Sequence, residues 1–141
     1  MIRVYADMVG DLFHYGHVRF LERARKLGDM LVVGVHSDKT VADYKRMPVM
    51  TMAERIQVIA ACQFVDEVIP DAPLAVTREF IEEHDLDLVV HGDDLDEEAL
   101  DLMYGDPRDL GILEIIPYAN GISTTQIMER LRRQSFTIVR S

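Results

Sequence analysis

Short apolar runs alternate with helix-like segments along this sequence, and this alternation limits the possible folds more than any other feature. The run Met30–Val35 is apolar at nearly every position, which is typical of a strand buried on both faces of a parallel sheet. Similar runs lie at 2–6, 65–69, 88–91 and 112–116. Strands separated by helices in this way predict a Rossmann-like, doubly wound parallel α/β sheet of about five strands.

A single domain of this kind accounts for the length of the chain. The chain has 141 residues, of which 48% are hydrophobic, and that is enough to build one core. Because no repeat or linker divides it, we expect one domain over residues 1–133 and a short tail over 134–141. The lone cysteine, Cys62, excludes a disulfide framework. No apolar run reaches the roughly 18 residues that span a bilayer, and the N-terminus is strand-like, so we expect a cytoplasmic protein with no membrane insertion.

The net charge narrows the class of partner. The 15 basic and 25 acidic residues give a net charge of −10 at pH 7. This argues against sequence-independent binding of nucleic acid, because such binding needs a basic face. A small anionic ligand stays compatible, since a local pocket can be positive on an acidic protein.

Two histidines stand where the first strand passes into a helix. The turn-rich segment 7–13 leads to His14 and His17, and residues 18–27 repeat apolar positions at a helical period. A helix N-terminus has free backbone N–H groups and the positive end of the helix dipole, so it is a site for anions. Two imidazoles added there favour phosphate oxygens. The alternatives are a pair of partly exposed turn histidines, or a metal pair whose third ligand the sequence does not clearly supply.

A second run of hydrogen-bond donors precedes the last predicted helix, which extends to about Arg133. The run Gly121–Thr125 has three consecutive hydroxyl residues, and the simplest explanation, an N-cap, needs only one of them. Ligands of doubly wound sheets bind beyond the carboxyl ends of the strands, so the topology brings this run to the same edge as His14 and His17. Two anion sites at one edge suit a polyphosphate and predict a nucleotide ligand.

Charged residues after the other strands are further candidates. Lys45 or Arg46, in a proline-containing loop, could bring a mobile cation to a phosphoryl group, although solvated surface charge is the commoner role. Asp93 and Asp94 follow the fourth strand directly and are candidates for base or ribose contacts. The acidic run 93–98 could ligate Mg²⁺, and acids favoured at a helix N-terminus explain 96–98 at least as well. The histidines at 36, 84 and 91 have no partner in sequence and are interpreted as structural.

The two ends of the chain resemble a known family. Asp11–His17, which contains an HxGH motif, and Gly121–Thr125 resemble the two signatures of CTP-dependent cytidylyltransferases. Those enzymes act on phosphoethanolamine, phosphocholine or glycerol 3-phosphate. The first signature marks a wider nucleotidyltransferase superfamily, and together with the second it is specific for the cytidylyl branch. The resemblance covers roughly residues 2–131 and includes, in order and at similar spacing, Val33–Asp38, Glu54–Arg55, Val65–Ile69 and His91–Asp94.

The resemblance implies an activity, a site and an assembly. An oxygen of a phosphorylated alcohol, or of a phosphonate, attacks the α-phosphorus of CTP and pyrophosphate leaves, as in phospholipid or phosphonate biosynthesis. Mg²⁺ accompanies CTP, with no metal-binding residue assigned, and a homodimer forms around Val65–Ile69. The domain 1–133 is then the catalytic domain. The implied catalytic residues are His14, His17, Lys45 and Thr124; the nucleotide-binding residues are Val9, Gly10, Asp11, Gly16, Arg55, Gly92, Asp93, Asp94, Tyr118, Gly121, Ile122, Ser123 and Thr125; the acceptor-binding residues are Arg46, Thr77 and Arg78.

The sequence departs from the family pattern at several positions. Met8 and Gly10 stand where the family has a small residue and an aromatic one. Gln63 replaces Arg or Lys, and Tyr118–Asn120 replaces Arg-Thr-Glu. Two phosphate-facing cations are thereby lost. The arginines available to replace them are Arg46, Arg78 and Arg108.

These departures keep two other functions open beside CMP transfer. One is an adenylyltransferase of the same superfamily, similar to FAD synthetase, and the run Ile122–Thr125 speaks against it. The other is a catalytically degenerate module that binds a nucleotide and serves dimerisation, which Met8, Gln63 and Tyr118 suggest. The preferred hypothesis is CMP transfer from CTP to a small phosphorylated alcohol or a phosphonate.

Overall fold

The computed structural model describes residues 1–118 and 122–134, which contain five strands and six helices. Positions 119–121 and 135–141 lie outside the described residues. None of the described helices is long and apolar enough to cross a bilayer. The strands are β1 (Arg3–Met8), β2 (Met30–Val35), β3 (Glu67–Pro70), β4 (Leu88–Gly92) and β5 (Leu113–Ile116). The helices are α1 (Tyr15–Arg25), α2 (Asp38–Tyr44), α3 (Met52–Ala61), α4 (Arg78–Glu83), α5 (Glu97–Asp109) and α6 (Thr124–Arg133).

The five strands form one parallel sheet in the order β3-β2-β1-β4-β5. The chain moves outward from β1 to β3 and then returns to the other side of β1 as β4. The winding therefore reverses between β1 and β4, which confirms the predicted doubly wound α/β sheet. The crevice at this switch point, beyond the carboxyl ends of the strands, is where such folds bind ligands.

Helix and strand signals in the sequence predicted the elements well, with differences at the ends. The first strand was expected over 2–6 but continues to Met8, because its pairing with β2 extends to Met8 opposite Val35. Helix α5 is distorted at Tyr104, where φ is −130° and ψ is 20°. Pro107 lacks an N–H, and its ring opposes the carbonyl of residue 103, so the distortion falls on the turn before the proline.

Two apolar layers cover the sheet, one on each face. Residues of α1 and α3, such as Phe20 and Ile59, pack with Val4 and Val33 on one face. Residues of α4 and α5 pack on the other face, around Tyr5. Helix α6 contributes no buried residue and is attached at the periphery. The core thus fixes the strand ends, while the last helix depends on a few specific contacts.

Candidate active site

The two histidines of the strand-to-helix turn cap α1 with their own side chains. His14 is the N-cap residue, and its Nδ1 accepts a hydrogen bond from the N–H of Gly16 at 3.0 Å. The Nδ1 of His17 accepts one from the N–H of His14 at 3.1 Å, which completes a capping box. We expected free backbone N–H groups for a ligand at this place. The protein uses the N–H groups of His14 and Gly16 internally, and the imidazole rings add donors of their own.

Both imidazoles have one defined tautomer. Since each Nδ1 accepts a hydrogen bond, the proton of the neutral ring is on Nε2. Burial, with a further contribution from His14, lowers the pKa of His17 to about 4, and burial lowers the pKa of His14. The ring centroids are 4.0 Å apart, and the buried Nε2 of His14 has no partner among the described residues. Two neutral N–H donors therefore lie side by side at the switch point.

We expect the lowered pKa of His17 to make the free energy of unfolding sensitive to acid. The folded-state pKa of about 4 lies below the ordinary value of 6.5. The contribution of His17 to the free energy of unfolding is therefore fully present above pH 6.5 and is lost as the pH falls towards 4. Between pH 7.5 and 5.5 the loss from this group should be about 1 kcal/mol. Urea titrations at both pH values should show a smaller loss for His17→Asn than for wild type, and equal losses would contradict the prediction.

The N-terminus of α6 lies against the same turn. The hydroxyl of Thr124 donates a hydrogen bond to the backbone carbonyl of Asp11 at 2.9 Å. A Cβ placed on Gly16 would lie 3.1 Å from Cγ2 of Ile122, so the glycine allows the two segments to approach closely. The structure thus brings together the two stretches that were predicted to bind anions. Gly121, which was predicted with them, lies outside the described residues.

The three hydroxyl residues of this run have separate roles. Ser123 is the N-cap of α6, and its Oγ accepts from the N–H of Gln126 at 3.1 Å. Thr124 uses its hydroxyl hydrogen inside the protein, which limits its predicted catalytic contact to its backbone N–H and the lone pairs of Oγ1. Thr125 is exposed on the first turn of the helix.

Asp11 and Arg55 were predicted to bind the nucleotide, and the structure shows both side chains bonded within the protein. They are 5% and 0% exposed. Both carboxylate oxygens of Asp11 accept loop N–H groups at 2.9 Å. Arg55 donates to Asp38 and to two backbone carbonyls, one of them that of Val9. These hydrogen bonds join Asp11 and Arg55 to the parts of the chain that surround the histidine turn.

The structure separates the two cations between which the sequence did not decide. Lys45 Nζ is 5.6 Å from the ring centroid of Tyr44. The pKa of Asp94 is lowered chiefly by its hydrogen bond with His91, and Lys45 adds to the lowering. This places the Lys45 ammonium near the end of β4. Arg46 points to α6, with Nη2 2.8 Å from the sulfur of Met128. Of the two cations, Lys45 is thus the one whose charge acts on Asp94, two residues beyond β4.

The turn before His14 explains one departure from the family pattern. Gly10 and Leu12 both have positive φ, 69° and 48°. A Cβ on Gly10 would lie 2.7 Å from Cδ1 of Ile59, so the aromatic residue usual in the family would not fit this backbone. Leu12 is a non-glycine residue in the left-handed region, and such strain next to a site is held by the surrounding contacts.

A buried polar cluster lies at the carboxyl ends of β1 and β4, and the sequence analysis missed it. The side chain of Asp7 is 1% exposed and lies 3.5 Å from Nε2 of His36. Its Oδ1 accepts a hydrogen bond from the hydroxyl of Tyr104, which is 2.7 Å from Nδ1 of His91. Nε2 of His91 is in turn 3.3 Å from Asp94. The one signal in the sequence was an aspartate at the end of an apolar strand.

Carboxylates and imidazoles lie next to one another in this cluster. Burial opposes protonation of His91, but the carboxylates of Asp7 and Asp94 outweigh it and raise the pKa of His91 to about 9. Asp7 faces the rings of both His36 and His91, and Asp94 faces His91. Oδ2 of Asp7 has no well-directed hydrogen-bond donor among the described residues. A buried carboxylate oxygen that lacks a directed donor favours a cationic partner.

Tyr118 covers the end of β4. A Cβ on Gly92 would lie 2.0 Å from the Tyr118 ring, and the Tyr118 N–H donates to Asp93 at 3.4 Å. An apolar face therefore stands where the family has a cation. Arg23 of α1, which the sequence analysis did not consider, donates to the carbonyl of Pro117 at 2.8 Å and brings a positive charge to this end of β5.

The remaining predicted residues lie on α4 and α5. Thr77 uses its hydroxyl as the N-cap of α4, and Arg78 is exposed beside it. Arg108 is paired with Asp101 and Asp109. No contact in the described part of the chain joins these residues to the histidine turn. The structure therefore gives no support to an acceptor role for Thr77 and Arg78, or to Arg108 as a replacement cation.

This sequence is similar to known proteins over most of its length. Residues 10–130 match the family described as cytidylyltransferase-like. The chain is 41% identical over 133 residues to the ethanolamine-phosphate cytidylyltransferase of Dictyostelium discoideum, and 40% identical over 136 residues to the choline-phosphate cytidylyltransferase of Saccharomyces cerevisiae. These alignments cover 91% and 94% of this chain but 37% and 32% of those proteins. The chain thus spans about a third of the length of these relatives.

Solved structures are similar in fold. The lipopolysaccharide core biosynthesis protein of Thermoplasma volcanium superposes with a TM-score of 0.69 at 30% identity, covering 86% of this chain and 99% of that one. Pantothenate synthetase of Thermus thermophilus superposes with a TM-score of 0.59 at 16% identity, covering 90% of this chain and 61% of that one. The second similarity concerns the fold alone.

Proposed function

This chain belongs to the cytidylyltransferase-like family, and from that premise we propose that it transfers CMP from CTP to a small phosphorylated alcohol or phosphonate and releases pyrophosphate. One observation carries the proposal. The neutral imidazoles of His14 and His17 lie against the N-terminus of α6, joined through the hydrogen bond from Thr124 to Asp11. A nucleoside triphosphate bound there meets donors from both segments.

In the proposed reaction an acceptor oxygen attacks the α-phosphorus of CTP, the bond to the bridging oxygen breaks, and pyrophosphate leaves. Negative charge builds up on the non-bridging oxygens as the phosphorus becomes five-coordinate. Donors that are already in place stabilise this charge with little reorganisation, and Nε2–H of His14 and of His17 are two such donors. Lys45 adds a positive charge on a flexible side chain. The first-turn N–H groups of α6 bind the phosphates of the leaving group.

We further infer that the acceptor has a cationic head group. The carboxylates of Asp7 and Asp94 lie at the switch point, and Oδ2 of Asp7 has no well-directed hydrogen-bond donor among the described residues. An ammonium group would add a positive charge beside these carboxylates, which an uncharged head group such as that of glycerol 3-phosphate would not. The relatives in Dictyostelium discoideum and Saccharomyces cerevisiae are named for ethanolamine phosphate and choline phosphate. An aminoalkyl phosphonate presents the same attacking oxygens and the same charge.

Mg²⁺ enters the proposal with CTP. Within residues 1–118 and 122–134, no group of three or more His, Cys, Asp or Glu side chains is placed to hold a metal ion. The described side chains therefore do not form a metal cage, and no step above depends on one. The preference of Mg²⁺ for phosphate oxygens and water supports its arrival with the nucleotide.

The proposed assembly is a homodimer in the cytoplasm. Strand β3 lies at one edge of the sheet and pairs only with β2 among the described strands. Its outer edge can meet a second copy of the chain, which supports the dimer that the resemblance implies around Val65–Ile69.

Pyrophosphate release tests the proposed function. CTP or ATP is offered with phosphoethanolamine, phosphocholine, glycerol 3-phosphate and 2-aminoethylphosphonate in the presence of Mg²⁺. We expect release with CTP, and kcat/KM at least about tenfold higher for the cationic acceptors than for glycerol 3-phosphate. A preference for ATP would favour an adenylyltransferase. Binding of CTP in a calorimeter without release from any pair would favour a degenerate nucleotide-binding module.

A further inference from the structure

We propose that Asp11 and Arg55 are positioning residues that act on the reaction through Lys45, an inference that rests on the proposed function. Both side chains are buried. Their shared partner is the loop 45–50, which joins α2 to α3 and carries Lys45 at its start. The positions of Asp11 and Arg55 in sequence gave no sign of this partner.

The two side chains hold opposite sides of one loop residue. Asp11 Oδ1 accepts a hydrogen bond from the N–H of Met50 at 2.9 Å, and Arg55 Nε donates one to the carbonyl of Met50 at 3.1 Å. Asp11 Oδ2 accepts from the N–H of Val49 at 2.9 Å. At the other end of the loop, the N–H of Lys45 is bonded into the last turn of α2 at 2.8 Å. Asp11 and Arg55 thus fix the end of the loop that helix α2 does not fix.

The same side chains connect the loop to the histidine turn and to α6. Arg55 Nη1 donates to the carbonyl of Val9 at 2.6 Å, and the carbonyl of Asp11 accepts from Thr124 at 2.9 Å. Asp11 precedes His14 by three positions, so one residue is bonded to three parts of the proposed site. The charge of the buried Arg55 guanidinium is balanced by Asp38 at 2.7 Å, which lets Arg55 stay buried without a ligand.

Lys45 gains a defined position from these contacts. A loop without anchoring hydrogen bonds samples many conformations, and its side chains share that spread. The ammonium of Lys45 would then spend less time where charge develops in the transition state. A misplacement of about 1 Å can cost about 10²-fold in rate. Loss of Asp11 or Arg55 should therefore lower kcat mainly to the extent that Lys45 contributes to it.

A double-mutant cycle tests this dependence. Asp11→Asn keeps the size of the side chain but turns one acceptor into a donor that faces a loop N–H. In the wild-type background we expect kcat to fall by up to about 10²-fold, with KM for CTP changed by less than about threefold. In the Lys45→Ala background the same substitution should add less than about threefold. Equal fold losses in the two backgrounds would overturn the inference, because Asp11 would then act independently of Lys45.

A parallel substitution and a control accompany the cycle. Arg55→Lys keeps the charge but loses the fork geometry that reaches three acceptors, and it should follow the pattern of Asp11→Asn. Asp87→Asn is the matched control, because Asp87 also accepts a backbone N–H of a distant residue, that of Arg3 at 2.8 Å. It does so at the opposite end of the sheet from the site. Its kinetic constants should equal those of wild type.

Limited trypsin digestion tests the positioning without catalysis. Lys45 and Arg46 are exposed, and trypsin cleaves after both. Asp11→Asn should raise the initial rate of cleavage at these two bonds at least about fivefold over wild type and over Asp87→Asn. Equal rates would overturn the inference whether or not the protein transfers CMP. If Asp11→Asn is cleaved faster in this way and the wild-type protein releases no pyrophosphate, only the proposed function is refuted.

Discussion

The substitution His17→Asn should lower the turnover number with CTP by about 10²- to 10³-fold, the usual cost of losing one oxyanion donor, while leaving the fold unchanged. The amide oxygen of the new side chain stands where Nδ1 stood and can still accept the N–H of His14, which lies 3.1 Å from Nδ1 in the wild type. Nothing replaces Nε2–H. The substitution therefore separates the capping role of the ring from its proposed role in stabilising the transition state.

The measurement is pyrophosphate release at saturating CTP and acceptor, with circular dichroism to confirm the helix content. His84→Asn is the control, because His84 is the C-cap of α4 and packs on Phe80 with ring centroids 4.5 Å apart, away from the histidine turn. An unchanged KM for CTP would show that the lost donor acts chiefly in the transition state. Turnover within about threefold of wild type would contradict the mechanism.

The substitution Asp7→Asn should lower kcat/KM for phosphoethanolamine by about 10- to 100-fold, as expected when a charge-assisted contact worth roughly 1.5–3 kcal/mol is lost. The amide keeps the shape of the carboxylate and still accepts the hydroxyl of Tyr104, but the negative charge that would face the ammonium is gone. For glycerol 3-phosphate, which has no cationic head group, the loss should be much smaller. KM for CTP should not change, because the hydrogen bonds of Asp7 among the described residues do not involve the two segments proposed to bind the phosphates.

Steady-state kinetics with both acceptors measure this difference in selectivity. Tyr104→Phe is the matched control, since it removes the hydroxyl that donates to Asp7 and keeps the carboxylate. It should cost less than Asp7→Asn and should preserve the preference for the cationic acceptor. Equal losses of kcat/KM with the two acceptors in Asp7→Asn would show that Asp7 supports the fold and does not select the head group.

The elements of the fold could be predicted because each has a local cause. Continuous apolar runs predicted the buried strands, and the helical period of the apolar positions at 18–27 predicted α1, which the structure shows over Tyr15–Arg25. The parallel direction of the strands followed as well, since strands connected through helices form right-handed crossovers in a parallel sheet. The histidine turn and the run before α6 were recognisable because a helix N-terminus has its own chemistry. The meeting of these segments followed from the topology.

The sequence by itself therefore determined the sheet, the turn that carries His14 and His17, and the run before α6, because spacing between near neighbours specifies each of them. Only the tertiary structure decided what each polar side chain contacts. It bonded Asp11 and Arg55 to backbone groups of loops. It brought the charge of Lys45, and not that of Arg46, to the end of β4. It also joined Asp7 to His91 and Tyr104 across two strands and a helix. Those partners are far apart in the chain and compete with water and with one another. Burial in the folded core selects among them, and no local pattern records that choice.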